Sequence, residues 1–179
     1  FVLSLAESSL ERLGNALPEG VLVGARGDHY FLHPETKDDP KHQAFVKKFH
    51  DKTGAYPIYS VYHMVQGIYG LKAGYEKAIK DNGGNWPTPE QVAAAMHDVS
   101  FKGYGREVKM HRADGQALEA QLFGVTKKSD KYPFKVLSDI TIVPAELVTP
   151  GVTDTSMAWI EKSLTPDVLK SDQIKVFPN

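Results

Sequence analysis

A chain of 179 residues with a formal charge of -1 can bury a real core, yet it has no net attraction to a polyanion, and its basic residues are scattered rather than clustered. Cysteine is absent, which excludes disulfide frameworks, thiol catalysis and thiolate metal sites together, though it fits either an oxidising or a reducing compartment. No run approaches the roughly 20 apolar residues of a membrane span.

The opening run Phe1-Val2-Leu3-Ser4-Leu5 lacks the basic start and cleavage site of a signal peptide and reads as a strand met in mid-domain, as in a fragment or a processed chain. Ser8-Ser9-Leu10-Glu11 has capping-box spacing, with Leu10, Leu13 and Leu17 marking a short helix behind it. Pro18-Glu19-Gly20 then turns the chain into Val21-Leu22-Val23, a continuous apolar run suited to a strand buried on both faces. Strand, helix, strand predicts a parallel unit. Residues 25 to 39 show no period and predict a loop, which gathers Arg26, Asp28, His29, Tyr30, Phe31 and His33.

Asp39 and Pro40 predict a helix start, Phe45, Val46 and Phe49 its buried side, and Gly54 its end. The longest helical pattern covers residues 56 to 82, and the rest of the chain is expected to pack around it. Val61, Met64, Val65, Ile68, Leu71, Tyr75, Ala78 and Ile79 form its predicted core face. Gly67, Gly70 and Gly74 make a second stripe that costs about 1 kcal/mol per glycine relative to alanine, so a close backbone approach is the expected compensation. Thr88-Pro89-Glu90-Gln91 opens a further helix with Val92, Ala93, Met96 and Val99 on one face. Val108 and Met110, the turn Ala113-Asp114-Gly115 and a strand from Leu118 to Thr126 predict a hairpin, and Phe134 to Val143 one more strand. Past Pro150 only a short helix around Met157 to Leu164 is expected.

In open α/β sheets ligands bind outside the carboxyl ends of strands. Two such ends are readable here, Ser4 to Glu7 and Arg26 to Phe31, and neighbouring strands would bring them to one crevice. Arg26 could hold a carboxylate, Asp28 an ammonium or hydroxyl, and Tyr30 and Phe31 could wall an apolar group; the bland alternative is a solvated loop. Arg26-Gly27-Asp28 spells an adhesion tripeptide, too short to carry that function. His29 and His33, with Asp28 and Glu35 nearby, invite a metal reading, but their four-residue spacing suits a zinc pair only on a helix and Pro34 argues for a loop. GxGxxG after a strand, GK[ST] and GxSxG are all missing. Neither an enzyme nor a cofactor or metal site is therefore expected.

The order of the pieces is more specific than any motif. Glu19-Gly20-Val21-Leu22-Val23, the ligand-type loop, the Phe45–Phe49 helix ending near Gly54, Tyr59-Ser60-Val61-Tyr62 opening a long helix, and Gly105 to Phe123-Gly124-Val125 with its Ala113-Asp114-Gly115 turn resemble the C-terminal half of type I periplasmic solute-binding proteins. The likeness is to the leucine/isoleucine/valine-binding branch that serves bacterial ABC importers, and it covers about residues 1 to 143. It implies an α/β fold of two Rossmann-like lobes with mainly parallel sheets and a C-terminal hairpin, closing by a hinge on a ligand. Residues 1-34 and 113-143 would belong to the second lobe, 35-112 to the first, and 144-179 to an extension. Ser4, Glu7, Arg26, Asp28, Tyr30 and Phe31 would contribute ligand contacts. Branched-chain amino acid binders carry an acidic residue for the ligand's ammonium where this sequence has Leu3 or Ser4, with Glu7 the nearest carboxylate, which leaves room for aromatic or other organic acids. The implied setting is the periplasm. The implied partners are a small-molecule ligand, the membrane permease, and either a missing N-terminal half or a self-association partner, with no nucleic acid. A ligand-sensing domain of a receptor or regulator is the alternative.

Overall fold

The computed structural model describes residues 7–97, 99–112, 114–150 and 155–178. A 3-10 turn at Glu7–Ser9 leads into α1 (Leu10–Leu13). The Glu11 carboxylate, expected in a capping box with Ser8, accepts the backbone N–H of Tyr56 at 3.1 Å, tying the first turn to the chain ahead of the long helix. The first strand, β1 (Leu22–Gly24), runs antiparallel to β5 (Gln121–Lys127), with Val23 opposite Gly124. That strand in turn pairs antiparallel with β6 (Val136–Val143), the further strand expected over Phe134 to Val143. The last strand, β7 (Lys175–Phe177), completes an order of β1-β5-β6-β7, so the C-terminal extension supplies an edge strand that its weak periodicity hid.

Every described ladder is antiparallel. The parallel unit expected between the opening run and Val21–Val23 involves residues 1 to 6 and lies outside the described residues. In β6 the register shifts between Phe123 and Val125 of its partner, and Asp139 takes a φ of 46° at the irregularity, a bulge that increases local twist.

Helix α2 (Pro40–Thr53) starts and stops where the caps predict: the Asp39 side chain accepts the Lys41 N–H at 2.7 Å, and Gly54 closes the helix in the left-handed region at φ 73°. The same holds for α4 (Pro89–Met96), whose Thr88–Gln91 capping box is complete. Helix α3 (Tyr59–Asp81) has the predicted extent but a different buried face. Tyr62, Gln66, Gly70, Gly74 and Ala78 point inward, while Met64, Ile68 and Leu71 of the expected core face are 68%, 61% and 51% exposed. The glycine stripe wins because two neighbours need its missing side chains. A Cβ on Gly70 would meet the Phe101 ring at 2.9 Å, and one on Gly74 would overlap the Met96 sulfur.

The second sheet, β2 (Ser100–Lys102), β3 (Glu107–Met110) and β4 (Ala117–Leu118), is antiparallel and borders α3. The single strand expected over Leu118–Thr126 is thus two strands in two sheets, with Glu119 and Ala120 as the step between them. The larger core lies on the four-stranded sheet, around Leu10, Val23, Tyr30, Phe31, Leu122, Phe134, Leu137 and Ile142; a smaller one joins α3 to α4 through Ala78, Val92 and Ala95. Among the described residues no helix is long and apolar enough to cross a membrane.

Candidate functional site

The loop after β1 is strained at its first step. Arg26 takes a φ of 53°, uncommon for a residue with a side chain, and Gly27 follows at φ 130°. Such backbone strain collects at binding sites, where the surrounding structure enforces it. The turn throws the Arg26 guanidinium outward over the Tyr59 ring, 5.0 Å from its centroid, with Nη1 donating to the Tyr59 hydroxyl at 3.2 Å. One helical turn on, His63 stands beside Tyr59 on the same face of α3, their rings 5.8 Å apart. Arg26 and His63 are exposed and Tyr59 is half-buried, so a cation, a phenol and an imidazole share one accessible edge.

The rest of the loop is buried. Asp28 is 1% exposed and both its carboxylate oxygens are engaged, Oδ1 by His33 Nε2 at 2.8 Å and Oδ2 by the Arg106 N–H at 2.6 Å. The Glu35 N–H donates to His33 Nδ1, so it is Nε2–H that donates to Asp28. Arg106 then binds Glu35 through Nε and Nη2 at 2.9 and 3.0 Å, an ion pair that holds the Glu35 carboxyl below its usual range. The residue ahead of it must be Gly105, because a Cβ there would overlap the Asp28 carbonyl oxygen. His42 is committed as well, with Nδ1 against Thr36 and Nε2 at 2.8 Å from the Tyr62 hydroxyl, and burial pushes its pKa down. The set His29, His33, Asp28 and Glu35 is therefore not assembled as metal ligands, because His33 and Asp28 spend their polar atoms on each other and on the backbone.

Glu119 gathers the remaining groups. Its Oε1 accepts from the Asp28 N–H at 3.2 Å and the Gln66 amide at 2.5 Å and lies 3.3 Å from His29 Nδ1, while Oε2 lies 3.4 Å from His63 Nε2. Burial pushes the Glu119 carboxyl up, but the contacts from His29, His63 and Gln66 outweigh it and hold the group well below the usual carboxylate range. His63 is raised, chiefly by its contact with Glu119. Beyond this cluster a cavity of about 380 Å³ opens between α3 and the three-stranded sheet, with His63, Gln66 and Glu119 at its polar end and Phe101, Val108 and Met110 along its apolar wall.

Of the five described residues expected to touch ligand, only Arg26 keeps an accessible polar head. Ser4 lies outside the described residues. Asp28 is buried with both carboxylate oxygens hydrogen-bonded inside the protein. Tyr30 and Phe31 are core residues, 1% and 7% exposed, and the Tyr30 hydroxyl accepts the Leu137 N–H; burial raises its pKa far above the usual phenol value. Glu7 is 5% exposed, lies 3.4 Å from the Tyr59 N–H and is pushed by burial to a pKa of about 7, so it supports Tyr59 from behind. The structure adds Tyr59, His63 and Glu119 to the site. The four-residue spacing of Tyr59 and His63 was the available signal; Glu119, 90 residues from His29, gave none.

These features define a mixed α/β binding module whose polar chemistry is concentrated on one loop, the first turns of α3 and the step between two sheets. Residues 1–131 match the family model described as periplasmic binding protein, and the chain belongs to that family. No curated protein sequence matches it. The fold is that of part of a type I periplasmic binding protein, and three solved structures resemble it. An ABC-type branched-chain amino acid transporter from Rhodopseudomonas palustris CGA009 is 16% identical with a TM-score of 0.60, over 83% of this chain and 36% of that one. A solute binding protein of an ABC transporter from Rhodopseudomonas palustris BisB5, in complex with 3,4-dihydroxy benzoic acid, is 16% identical with a TM-score of 0.55, over 80% and 37%. An amino acid ABC transporter substrate-binding protein from Pseudomonas fluorescens Pf-5 is 23% identical with a TM-score of 0.53, over 78% and 35%. The chain thus spans little more than a third of the length of these proteins.

Proposed function

We propose that this chain is the C-terminal part of the solute-binding component of a bacterial ABC importer, working in the periplasm and delivering its cargo to a membrane permease. The cargo is a small organic acid: an amino acid, or an aromatic or aliphatic carboxylate. The observation that carries the reading is the exposed Arg26 guanidinium, set by a strained turn at the carboxyl end of β1 and braced on Tyr59. Family membership and the likeness of fold to ABC solute-binding proteins support it. Arg26 would pair with the carboxylate, and Tyr59 and His63 would face the body of the ligand. The four-stranded sheet would belong to the second lobe, and α2, α3, α4 and most of the three-stranded sheet to the first, so that closure brings a second set of contacts onto the same edge. Binding without covalent chemistry is the expected behaviour.

The test is a panel of amino acids, benzoates and aliphatic acids titrated into the whole protein by thermal shift and calorimetry. At least one carboxylate should bind, and Arg26→Ala should weaken it about tenfold or more, as loss of a charge-assisted pair requires. Silence from every member of the panel, or a carboxylate ligand indifferent to Arg26→Ala, would refute the proposal.

A further inference from the structure

The geometry points to a second site: we infer that His29, His63 and Glu119 bind a divalent transition-metal cation, zinc foremost. The three residues come from the loop after β1, from α3 and from the step between β4 and β5, and their ligand atoms all lie within 4.8 Å of one another. The two closest approaches, 3.3 Å from His29 Nδ1 to Glu119 Oε1 and 3.4 Å from His63 Nε2 to Glu119 Oε2, are long for charge-assisted hydrogen bonds, which run at about 2.7 to 2.9 Å. The His63 Nε2–Oε2 approach matches the separation of about 3.3 Å between two ligands that each sit about 2.0 to 2.1 Å from a tetrahedral zinc ion, whereas His29 Nδ1 lies against the other carboxylate oxygen.

A second observation concerns His29 itself. Its ring is fully buried, yet Nε2 has no hydrogen-bond partner among the described residues, whereas buried His33 and His42 have both ring nitrogens engaged. A half-turn of the ring exchanges Nε2 with Cε1 and Nδ1 with Cδ2, so that Nε2 takes over from Nδ1 as the ring nitrogen facing Glu119. That Cε1 and Glu119 Oε2 border one gap above Gly27, each 2.6 Å from where a Cβ at Gly27 would sit. In that orientation a cation held between Nε2 and Glu119 Oε2 gives His29 a partner that no group among the described residues supplies, and Gly27 leaves the room.

The donor set selects the ion. Two imidazoles and one carboxylate suit zinc and its first-row neighbours, whereas calcium and magnesium ask for oxygen ligands throughout. Three protein ligands leave a coordination position open, and the half-exposed His63 places it toward solvent. Glu119 is already oriented by the Asp28 N–H and the Gln66 amide, the outer support that metal-binding carboxylates require. Both readings use His63, but zinc binding is tested without solute and solute binding through Arg26, so the failure of one is distinguishable from the failure of the other.

The test strips the whole protein with a chelator and titrates it with zinc by calorimetry, with cobalt absorption as a second readout. A single zinc per chain should bind at micromolar affinity or tighter, and cobalt should give the visible bands of a low-coordinate site. His63→Ala removes a surface side chain and leaves the core intact; it should weaken zinc about tenfold or more, as should Glu119→Gln. His97→Ala and His111→Ala, which change histidines outside the cluster, should have no effect. Absence of a single-site event, full affinity in His63→Ala, or an equal loss in the His97 and His111 variants would overturn the inference.

Discussion

The α3 glycines give opposite predictions one turn apart. Gly67 has nothing within 4 Å of where its Cβ would lie, so Gly67→Ala should recover the full helix-propensity difference and stabilise by about 1 kcal/mol. At Gly70 the new Cβ would sit 2.9 and 3.0 Å from Phe101 Cε1 and Cζ, atoms of a rigid ring on the central residue of β2. Overpacking of this kind costs about 1 to 3 kcal/mol, which cancels or exceeds the propensity gain, so Gly70→Ala should be neutral to mildly destabilising. Gly70→Leu should lose about 2 to 3 kcal/mol, or roughly 5 to 10 °C in a domain of this size. Urea denaturation and thermal melts followed by circular dichroism read all three variants on one scale. Equal shifts for Gly67→Ala and Gly70→Ala would refute the reasoning, because they would mean that the approach of Phe101 imposes nothing on the helix.

Three further outcomes are expected. Glu7 titrates near 7 in the folded chain against an ordinary 4.5, so the folded state holds its proton more tightly. Its stabilising effect is complete below pH 4.5 and is lost as the pH rises to 7, at up to about 1.4 kcal/mol per pH unit; Glu7→Gln should flatten that slope in denaturation curves, and an unchanged slope would exclude Glu7 as its source. The exposed stripe Met64, Ile68 and Leu71 should make the chain self-associate on its own, with Ile68→Lys shifting it toward monomer; a concentration-independent monomer in light scattering would count against this. Thr88→Ala removes the cap of α4 and should cost about 1 kcal/mol in thermal or urea unfolding, whereas Thr88→Ser should cost little.

Helix boundaries were legible because their signals are local. Asp39-Pro40, Gly54 and Thr88-Pro89-Gln91 each act within one turn, and each is realised as read. The buried face of α3 was not legible, because counting apolar residues favours the Met64 and Ile68 side while close packing on Phe101 and Met96 selects the glycines. The break inside residues 118 to 126 escaped for a similar reason: alternation continues through Glu119, and only the partners of each half reveal two sheets. At the site, the sequence marked the loop at Arg26 but not its internal economy. Asp28 meets Arg106 across 78 positions and His29 meets Glu119 across 90, and no spacing rule reaches that far.

Glu119 occupies the short step by which the chain leaves the three-stranded sheet for the four-stranded one. From there its carboxylate clasps the Asp28 backbone and the His29 ring on one side and Gln66 and His63 of α3 on the other. Any torsion of the two sheets against each other would strain this clasp early, so the stiffness of the joint rests heavily on one acidic side chain.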